Sequence, residues 1–297
     1  MNEFSIQQLT IFGVGLIGGS LAKALKKANY CKTIIGCSRN EAHLKRAIEL
    51  GVIDDYQLNP TEAVAQADMI LLAVPLGAME TVLNHIKDAL QPNAIITDAG
   101  SSKASVIEAV NKAFPQGYTH FVAGHPIAGR EQSGVEAAID DLYVGRRTIL
   151  TPLETTDKSA IQAVRNMWEA AGSIVEIMDV EQHDKVLAAT SHLPHLLAFN
   201  LVDTLSKSKE SEDIFRYAAG GFKDFTRIAS SDPVMWRDIC IANRTAILEM
   251  IAEYQNSLEQ LAALIEANDA QGVMDIFSHA KQARDCFVKK FEELATI

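Results

Sequence analysis

Cysteine is scarce and unpatterned in this 297-residue chain: Cys31, Cys37, Cys240 and Cys286 are the only four, and no two stand in a CxxC or other metal-ligand spacing. That excludes a disulfide framework and a thiolate metal site, and it fits free thiols in a reducing compartment. Long apolar runs are also missing, since none approaches the roughly 20 residues that a membrane-spanning helix needs. The first residues lack the pattern of a signal peptide, so the sequence is expected to work in the cytoplasm, away from membranes. Positive charge is in deficit, with 27 Lys and Arg against 38 Asp and Glu and a net charge of −11. This argues against a general nucleic-acid or anionic-membrane surface, though not against a local basic pocket for an anionic substrate. No internal repeat, low-complexity tract or flexible linker is visible. What remains is ordinary globular composition, 48% hydrophobic and 22% charged, in a chain long enough for two domains.

The chain is organised around LTIFGVGLIGGS, Leu9 to Ser20. Leu9, Ile11 and Phe12 read as a buried strand, Gly13, Gly15 and Gly18 stand in GxGxxG spacing, and Leu21 to Lys27 reads as a helix behind them. The first glycine permits the tight turn, the second lets backbone approach a pyrophosphate, and the third lets helix and sheet pack closely. A helix N-terminus then offers free N–H groups to the anion. A dinucleotide site is the expectation, against a purely structural glycine turn.

Up to Met178, apolar strand-like runs alternate with helical segments, the pattern of a parallel sheet covered on both faces. Thr33 to Cys37 is the second strand. An acidic residue about 20 positions beyond the third glycine ordinarily binds the ribose 2′-hydroxyl of NAD, but here Ser38 and Arg39 stand there. A hydroxyl and a guanidinium suit a 2′-phosphate, so NADP is preferred, with NAD as the other candidate. Met69 to Val74 is the next strand, stopped by Pro75, and Ala94 to Thr97 leads into DAGSSK. Carboxyl ends of strands line the ligand crevice of such sheets, so Ser101 either meets nicotinamide or substrate there or, with Ser102, caps the following helix. Cofactor contacts are therefore expected at Gly13, Gly15, Leu16, Ile17, Gly18, Ser38, Arg39, Val74, Pro75 and Ser101.

Phe121 to Ala123 opens the second informative stretch, GHPIAGREQSG, Gly124 to Gly134. His125, between Gly and Pro, is expected in a loop and available for proton transfer near neutral pH; the alternative is a turn histidine bonded to backbone. Glu131 either orients a polar partner or caps a helix over Val135 to Asp140. Arg147 to Thr151 and Ser173 to Met178 read as the last two strands, with a helix from Ser159 to Ala171 between them. From Val180 onward apolar residues recur at helical spacing, with helices expected over Glu181 to Leu205, kinked at Pro194, then Pro233 to Ala267 and Ala270 to Ala295. The domains are thus 1–178, dinucleotide-binding, and 179–297, helical. Helices with long apolar faces and no sheet need a partner surface, and a second copy is the commonest one. His192 and His195 in SHLPH share a helix face at i, i+3, but no further ligands accompany them; no metal is expected, and one histidine is read as contacting substrate while the other packs in the core. In GGFKDFTRIASSDPVMW, Arg227 is a candidate carboxylate clamp, or else an ordinary helix-end ion pair.

Taken together, GVGLIGGS, DAGSSK, GHPIAGREQSG, SHLPH and GGFKDFTRIASSDPVMWRDI resemble the prephenate/arogenate dehydrogenase family of tyrosine biosynthesis, from about Leu9 to Trp236 and on through the helices. The resemblance implies a Rossmann-type domain followed by an all-α dimerisation domain, and an oxidative decarboxylation. In that reaction a hydride passes from the hydroxyl-bearing ring carbon to the nicotinamide, and the ring carboxylate leaves as carbon dioxide. It implies that His125 takes the hydroxyl proton, that Ser101 holds that hydroxyl, and that His195 and Arg227 bind substrate carboxylate and side chain. It further implies a homodimer, in some members of which Arg227, Asp224 and Trp236 reach the pocket from the neighbouring subunit. Arg130 departs from the small residue that often follows HPIAG in the family. The chemistry agrees, because an imidazole of pKa about 6.5 accepts a proton at cellular pH without a metal. A dianionic substrate also calls for fixed positive groups such as Arg227 and Arg130. Two other readings stand beside this one: a related NADP-dependent hydroxyacid dehydrogenase with Lys185 as its catalytic lysine, and a non-catalytic NADP-sensing protein.

Overall fold

The structure is a computed structural model that describes residues 5–130 and 132–295. Its first strand, β1 (Ile6–Phe12), is buried along most of its length, as a strand covered on both faces must be. The glycine turn leads into α1 (Leu16–Lys27), which starts five residues earlier than the sequence suggests and so takes Gly18 into the helix. Then follow β2 (Cys31–Cys37), α2 (Glu41–Glu49), β3 (Asp55–Gln57), α3 (Pro60–Val64), β4 (Met69–Leu72), α4 (Met79–Ile86), β5 (Ile95–Asp98), α5 (Lys103–Ala113) and β6 (Phe121–Val122). These six strands form one parallel sheet in the order β3-β2-β1-β4-β5-β6. Apolar cores lie on both of its faces. One gathers Leu21, Leu25, Met167 and Trp168 against Leu9 and Ile11, and the other gathers Leu83, Ile86, Val106 and Val110 against Ile70 and Leu72. The strand order reverses between β1 and β4, and such a switch point opens a crevice at the carboxyl ends of the strands.

The last strands do not extend this sheet. The strand β7 (Gly124–Pro126) pairs antiparallel with β8 (Arg147–Leu150), and β8 pairs parallel with β9 (Ile174–Ile177), in a separate three-stranded sheet. Between β8 and β9 runs α6 (Lys158–Ala170), capped by Asp157. The expected helix over Val135 to Asp140 shrinks to a single 3₁₀ turn at Val135–Ala137. Side chains of α1 compete for its backbone: Ser20 Oγ accepts from Ile139 N and Lys23 Nζ donates to Ala138 O.

Beyond Asp179 the described residues form only helices and turns: α7 (Val180–Leu187), a π-helical turn (Ala188–His192), α8 (Leu193–Ser206), α9 (Ser211–Arg216), α10 (Gly220–Thr226), a 3₁₀ turn (Arg227–Ser230), α11 (Pro233–Ala242), α12 (Arg244–Glu266) and α13 (Ala270–Ala295). The expected kink at Pro194 takes the form of the π turn just before it. Proline gives no N–H to the carbonyl four residues back, so the ladder changes register there. The helix expected from Pro233 to Ala267 is broken at Asn243, whose buried side chain is held by other elements. Residues Met1–Arg244 make one compact unit and Thr245–Ile297 a second. Within the second unit Asp269 closes the turn between the two long helices, accepting from Gly272 N at 2.9 Å, while Leu258, Ile265, Met274 and Phe277 leave apolar surface exposed. No described helix is long and apolar enough to cross a membrane.

Candidate active site

The glycine turn sits at the switch point with the geometry a dinucleotide needs. Gly13 has φ +91°, and a Cβ there would lie 2.3 Å from Ala73 O, in the turn that follows β4. A Cβ on Gly18 would lie 2.3 Å from Gly13 O, so helix and strand touch through their backbones. Gly15 is different: nothing lies within 4 Å of where its Cβ would be. That open side faces the start of α1, which has neither a side-chain cap nor an acidic residue in its first turn, and Leu16 and Ile17 are its first two residues. A pyrophosphate fits this free, positively polarised end. Val74 stands beside Gly13 and the exposed Pro75 turns the chain after it. At the end of β2, Ser38 Oγ accepts from Asn40 N, and Arg39 points into solvent with no carboxylate at its place.

Ser101 does not cap α5. The N-cap position belongs to Ser102, whose side chain makes no capping bond; the cap comes instead from Asp184 on α7. The Asp184 carboxylate accepts from Lys103 N at 2.8 Å, Ala104 N at 3.0 Å and Ser102 Oγ at 3.2 Å. Ser101 is left half-buried at the carboxyl end of β5, its hydroxyl without a hydrogen bond among the described residues. Beneath it lies a fully buried ion pair: Lys103 Nζ donates to Asp98 and, at 2.7 Å, to Gly124 O, while Asp98 accepts from Gly100 N and Gly124 N. This pair ties the Ser101 loop to the strand that carries His125.

His125 is not in a loop but in the middle of β7, opposite Ile149, and only 9% exposed. The flanking Gly and Pro mark a tight strand start rather than a turn: a Cβ on Gly124 would lie 3.0 Å from Asp98 O. The His125 Nδ1 lies 2.9 Å from Nε2 of His183, which is fully buried, and His183 Nδ1 lies 2.8 Å from Asp184. Burial first, then the neighbouring His183, Lys103 and His192, push the His125 imidazole well below the usual histidine range. It is therefore a neutral base at cellular pH.

The SHLPH histidines divide in role. His192 is 1% exposed, with Nδ1 at 3.0 Å from Asn243 Nδ2, and burial pushes its imidazole down to about 4. His195 is half-buried, donates from Nδ1 to Ser191 O at 2.9 Å, and stacks on Trp236 with ring centroids 3.7 Å apart. Burial lowers its pKa and the nearby Arg227 charge lowers it further, against the Ser191 carbonyl. Trp236 is buried in the same chain as His195, and the Arg227–Ser230 turn packs on α8, so these three lie together within one chain. Asp224 is exposed on α10 and meets none of them. Glu131 lies outside the described residues, and Arg130 is exposed. Lys185 is paired with Glu181 on the exposed face of α7, an ordinary i, i+4 pair.

Sequence reasoning missed His183, Asp184, Lys103, Asp98 and Asn243. A signal existed for α7, where helical spacing puts His183 on the same face as Leu187, and a polar residue on a buried face needs a partner. None existed for Lys103, which reads as any helix-start lysine.

The family models for the prephenate dehydrogenase nucleotide-binding domain and dimerization domain match residues 21–177 and 179–282. The chain is 36% identical over 290 residues to prephenate dehydrogenase of Bacillus subtilis, covering 96% of this chain and 77% of that protein. It is 36% identical over 286 residues to cyclohexadienyl dehydrogenase of Zymomonas mobilis, covering 94% and 95%. Among solved structures it is similar to prephenate dehydrogenase of Aquifex aeolicus in complex with hydroxyphenyl propionate and NAD+, with a TM-score of 0.90 and 37% identity over 96% of this chain and 100% of that one. Likeness at this level, through both the sheet domain and the helices that follow it, shows that this chain belongs to the prephenate dehydrogenase family.

Proposed function

We propose that the chain catalyses the oxidative decarboxylation of prephenate or L-arogenate, giving 4-hydroxyphenylpyruvate or L-tyrosine, with NADP preferred over NAD as hydride acceptor. The observation that carries this reading is a buried His125 with its pKa pushed down, on a strand that the Lys103–Asp98 pair ties to the loop of Ser101, whose hydroxyl no helix cap consumes. The bound nicotinamide supplies the electrophile that takes the hydride.

The chain's own residues do the rest. His125 removes the proton from the substrate hydroxyl while the hydride leaves the same carbon, and Ser101 holds that oxygen. As carbon dioxide departs, its bonding pair enters the ring, and the ring oxygen regains a proton from His125 to give the phenol. Aromatisation makes the sequence irreversible. Arg227 and His195 bind the substrate carboxylate and side chain: the guanidinium matches two oxygens, and the face of His195 is fixed by the Trp236 ring. Ser38 and Arg39 hold the 2′-phosphate, which favours NADP. The exposed apolar faces of the second unit support a homodimer built through the helices. Domains 1–178 and 179–297 then serve cofactor and substrate-plus-assembly respectively.

Steady-state turnover of prephenate and L-arogenate, each with NAD and NADP, tests the reading. Turnover of one of the two ring substrates, and none of short hydroxyacids, is expected. Cofactor binding without turnover of either substrate would reduce the protein to a sensor and defeat the proposal.

A further inference from the structure

We infer that His183 is the positioning residue behind His125, fixing which ring nitrogen of His125 is the base and receiving the proton that His125 takes from the substrate. The inference rests on the proposed reaction and begins from hydrogen-bond direction alone. The Asp184 carboxylate accepts from two backbone N–H groups and from Ser102 Oγ at the N-terminus of α5. Burial acts to raise its pKa, but His183 and those backbone donors outweigh it and hold the carboxyl below the usual carboxylate range. An ionised carboxylate only accepts, so the hydrogen at its 2.8 Å contact belongs to His183 Nδ1. A neutral His183 then has a bare Nε2, and the 2.9 Å contact to His125 requires the hydrogen on His125 Nδ1. His125 Nε2 is left as the bare nitrogen. A carboxylate two rings away thus selects the tautomer of the base.

The same chain of contacts offers the proton a place to go. When His125 Nε2 bonds the hydroxyl proton, its Nδ1–H bond breaks and the hydrogen bonds to His183 Nε2. His125 is neutral again, and the positive charge rests on His183, in contact with the Asp184 carboxylate. Burial and the Lys103 ammonium make a cation on His125 costly, and Asp98 is engaged by Lys103. His183 has a full counter-charge at 2.8 Å. When the ring becomes aromatic the two transfers reverse, and the proton returns through His125 to the phenol oxygen. No proton is gained or lost over the cycle, and the hydride pair goes to the nicotinamide as in the parent reaction.

Two measurements test this. In the unmodified enzyme with 15N-labelled histidine, long-range 1H–15N spectra report which nitrogen of each ring is protonated, with His125 assigned from the spectrum of His125→Asn and His183 from its coupling to that ring or from His183→Gln. Both His125 and His183 are expected with hydrogen on Nδ1, and hydrogen on His125 Nε2 in the resting enzyme overturns the inference. In kinetics, His183→Gln keeps an acceptor for His125 Nδ1–H but cannot hold a proton. Its kcat is expected to fall by about tenfold or more, with KM for the ring substrate within about threefold and a changed acid limb of the pH profile. A smaller fall in kcat overturns the proton-holding role. The spectra need no turnover, so they decide the tautomer even if His183→Gln does not fold. They also do so if the ring substrates prove wrong, an outcome that would defeat the proposed function and not the wiring of the two histidines.

Discussion

The proposed role of His125 as a base needs a bare ring nitrogen, and its surroundings favour one: burial first, and the nearby Lys103 ammonium, oppose protonation. Replacing it with Asn is expected to lower kcat by about 10²–10⁴ with little change in KM, because the group is used in the transition state rather than in binding. For the wild type the acid limb of kcat is expected below pH 6.5, the ordinary histidine value, since the shift in the folded protein is downward. A limb centred above 6.5 in a pH–rate profile would mean that another group is being read. The role proposed for Arg39 is narrower. Arg39→Ala is expected to weaken NADP by about 1.5–3 kcal/mol, a charge-assisted hydrogen bond, and to leave NAD unchanged. Cofactor titrations compare the two, and an equal loss for both rejects the 2′-phosphate contact.

Among the elements, the β1–α1 turn separates folding from binding. Gly18→Ala puts a methyl group against Gly13 O and Ile11, in a contact too close for any carbon, so β1 and α1 must part. Destabilisation of about 1–3 kcal/mol is expected, read as a drop in Tm without cofactor. Gly15→Ala puts its methyl group into open space. The Tm of the free protein is then expected to hold, while affinity for NAD and NADP drops at least tenfold as the methyl group occupies the pyrophosphate's place. A Gly15→Ala protein that bound cofactor normally would show that the open side of the turn has another use. The Ser101 loop and β7 form a second unit, since the buried Lys103 and Asp98 join them by direct bonds and fix the Ser101 loop relative to the strand of His125.

On the scale of the whole molecule, buried neutral histidines make the fold sensitive to acid. His192 titrates near 4 in the folded protein and near 6.5 when unfolded. Below pH 6.5 the unfolded chain binds a proton that the folded chain refuses, so stability falls as pH falls, and the loss is complete once pH drops below about 4. His192 alone accounts for a loss of order 3 kcal/mol across that window. Denaturant unfolding at stepped pH should show the decline, flattened in His192→Gln. Assembly gives a second test. Trp236, His195 and the Arg227 turn come together in one chain, and if Arg227 serves the His125 of that same chain, a heterodimer of His125→Asn and Arg227→Ala subunits keeps one defect in each site. Doubly tagged heterodimers are expected to stay at the mutant level, and recovery toward half the wild-type rate would show that Arg227 crosses the interface.

The sequence by itself determined what depends on local spacing. GxGxxG after an apolar run determined the β1–α1 turn, strand–helix alternation determined the sheet domain, and helical periodicity determined the region beyond Asp179. Five motifs in order were enough for the family. Tertiary structure decided what depends on partners distant in sequence. His125 looked like a loop residue because Gly124 and Pro126 flank it, yet pairing with β8 makes it a buried strand residue. The long helix expected through Asn243 breaks because that side chain is held by Asp184 O and His192, 59 and 51 positions away. Ser101 was open between capping and the crevice until a carboxylate 81 residues from Lys103 took the cap. Hydrogen bonds of that reach leave no periodic trace, because each needs only one polar residue at either end, and the fold alone sets which ends meet.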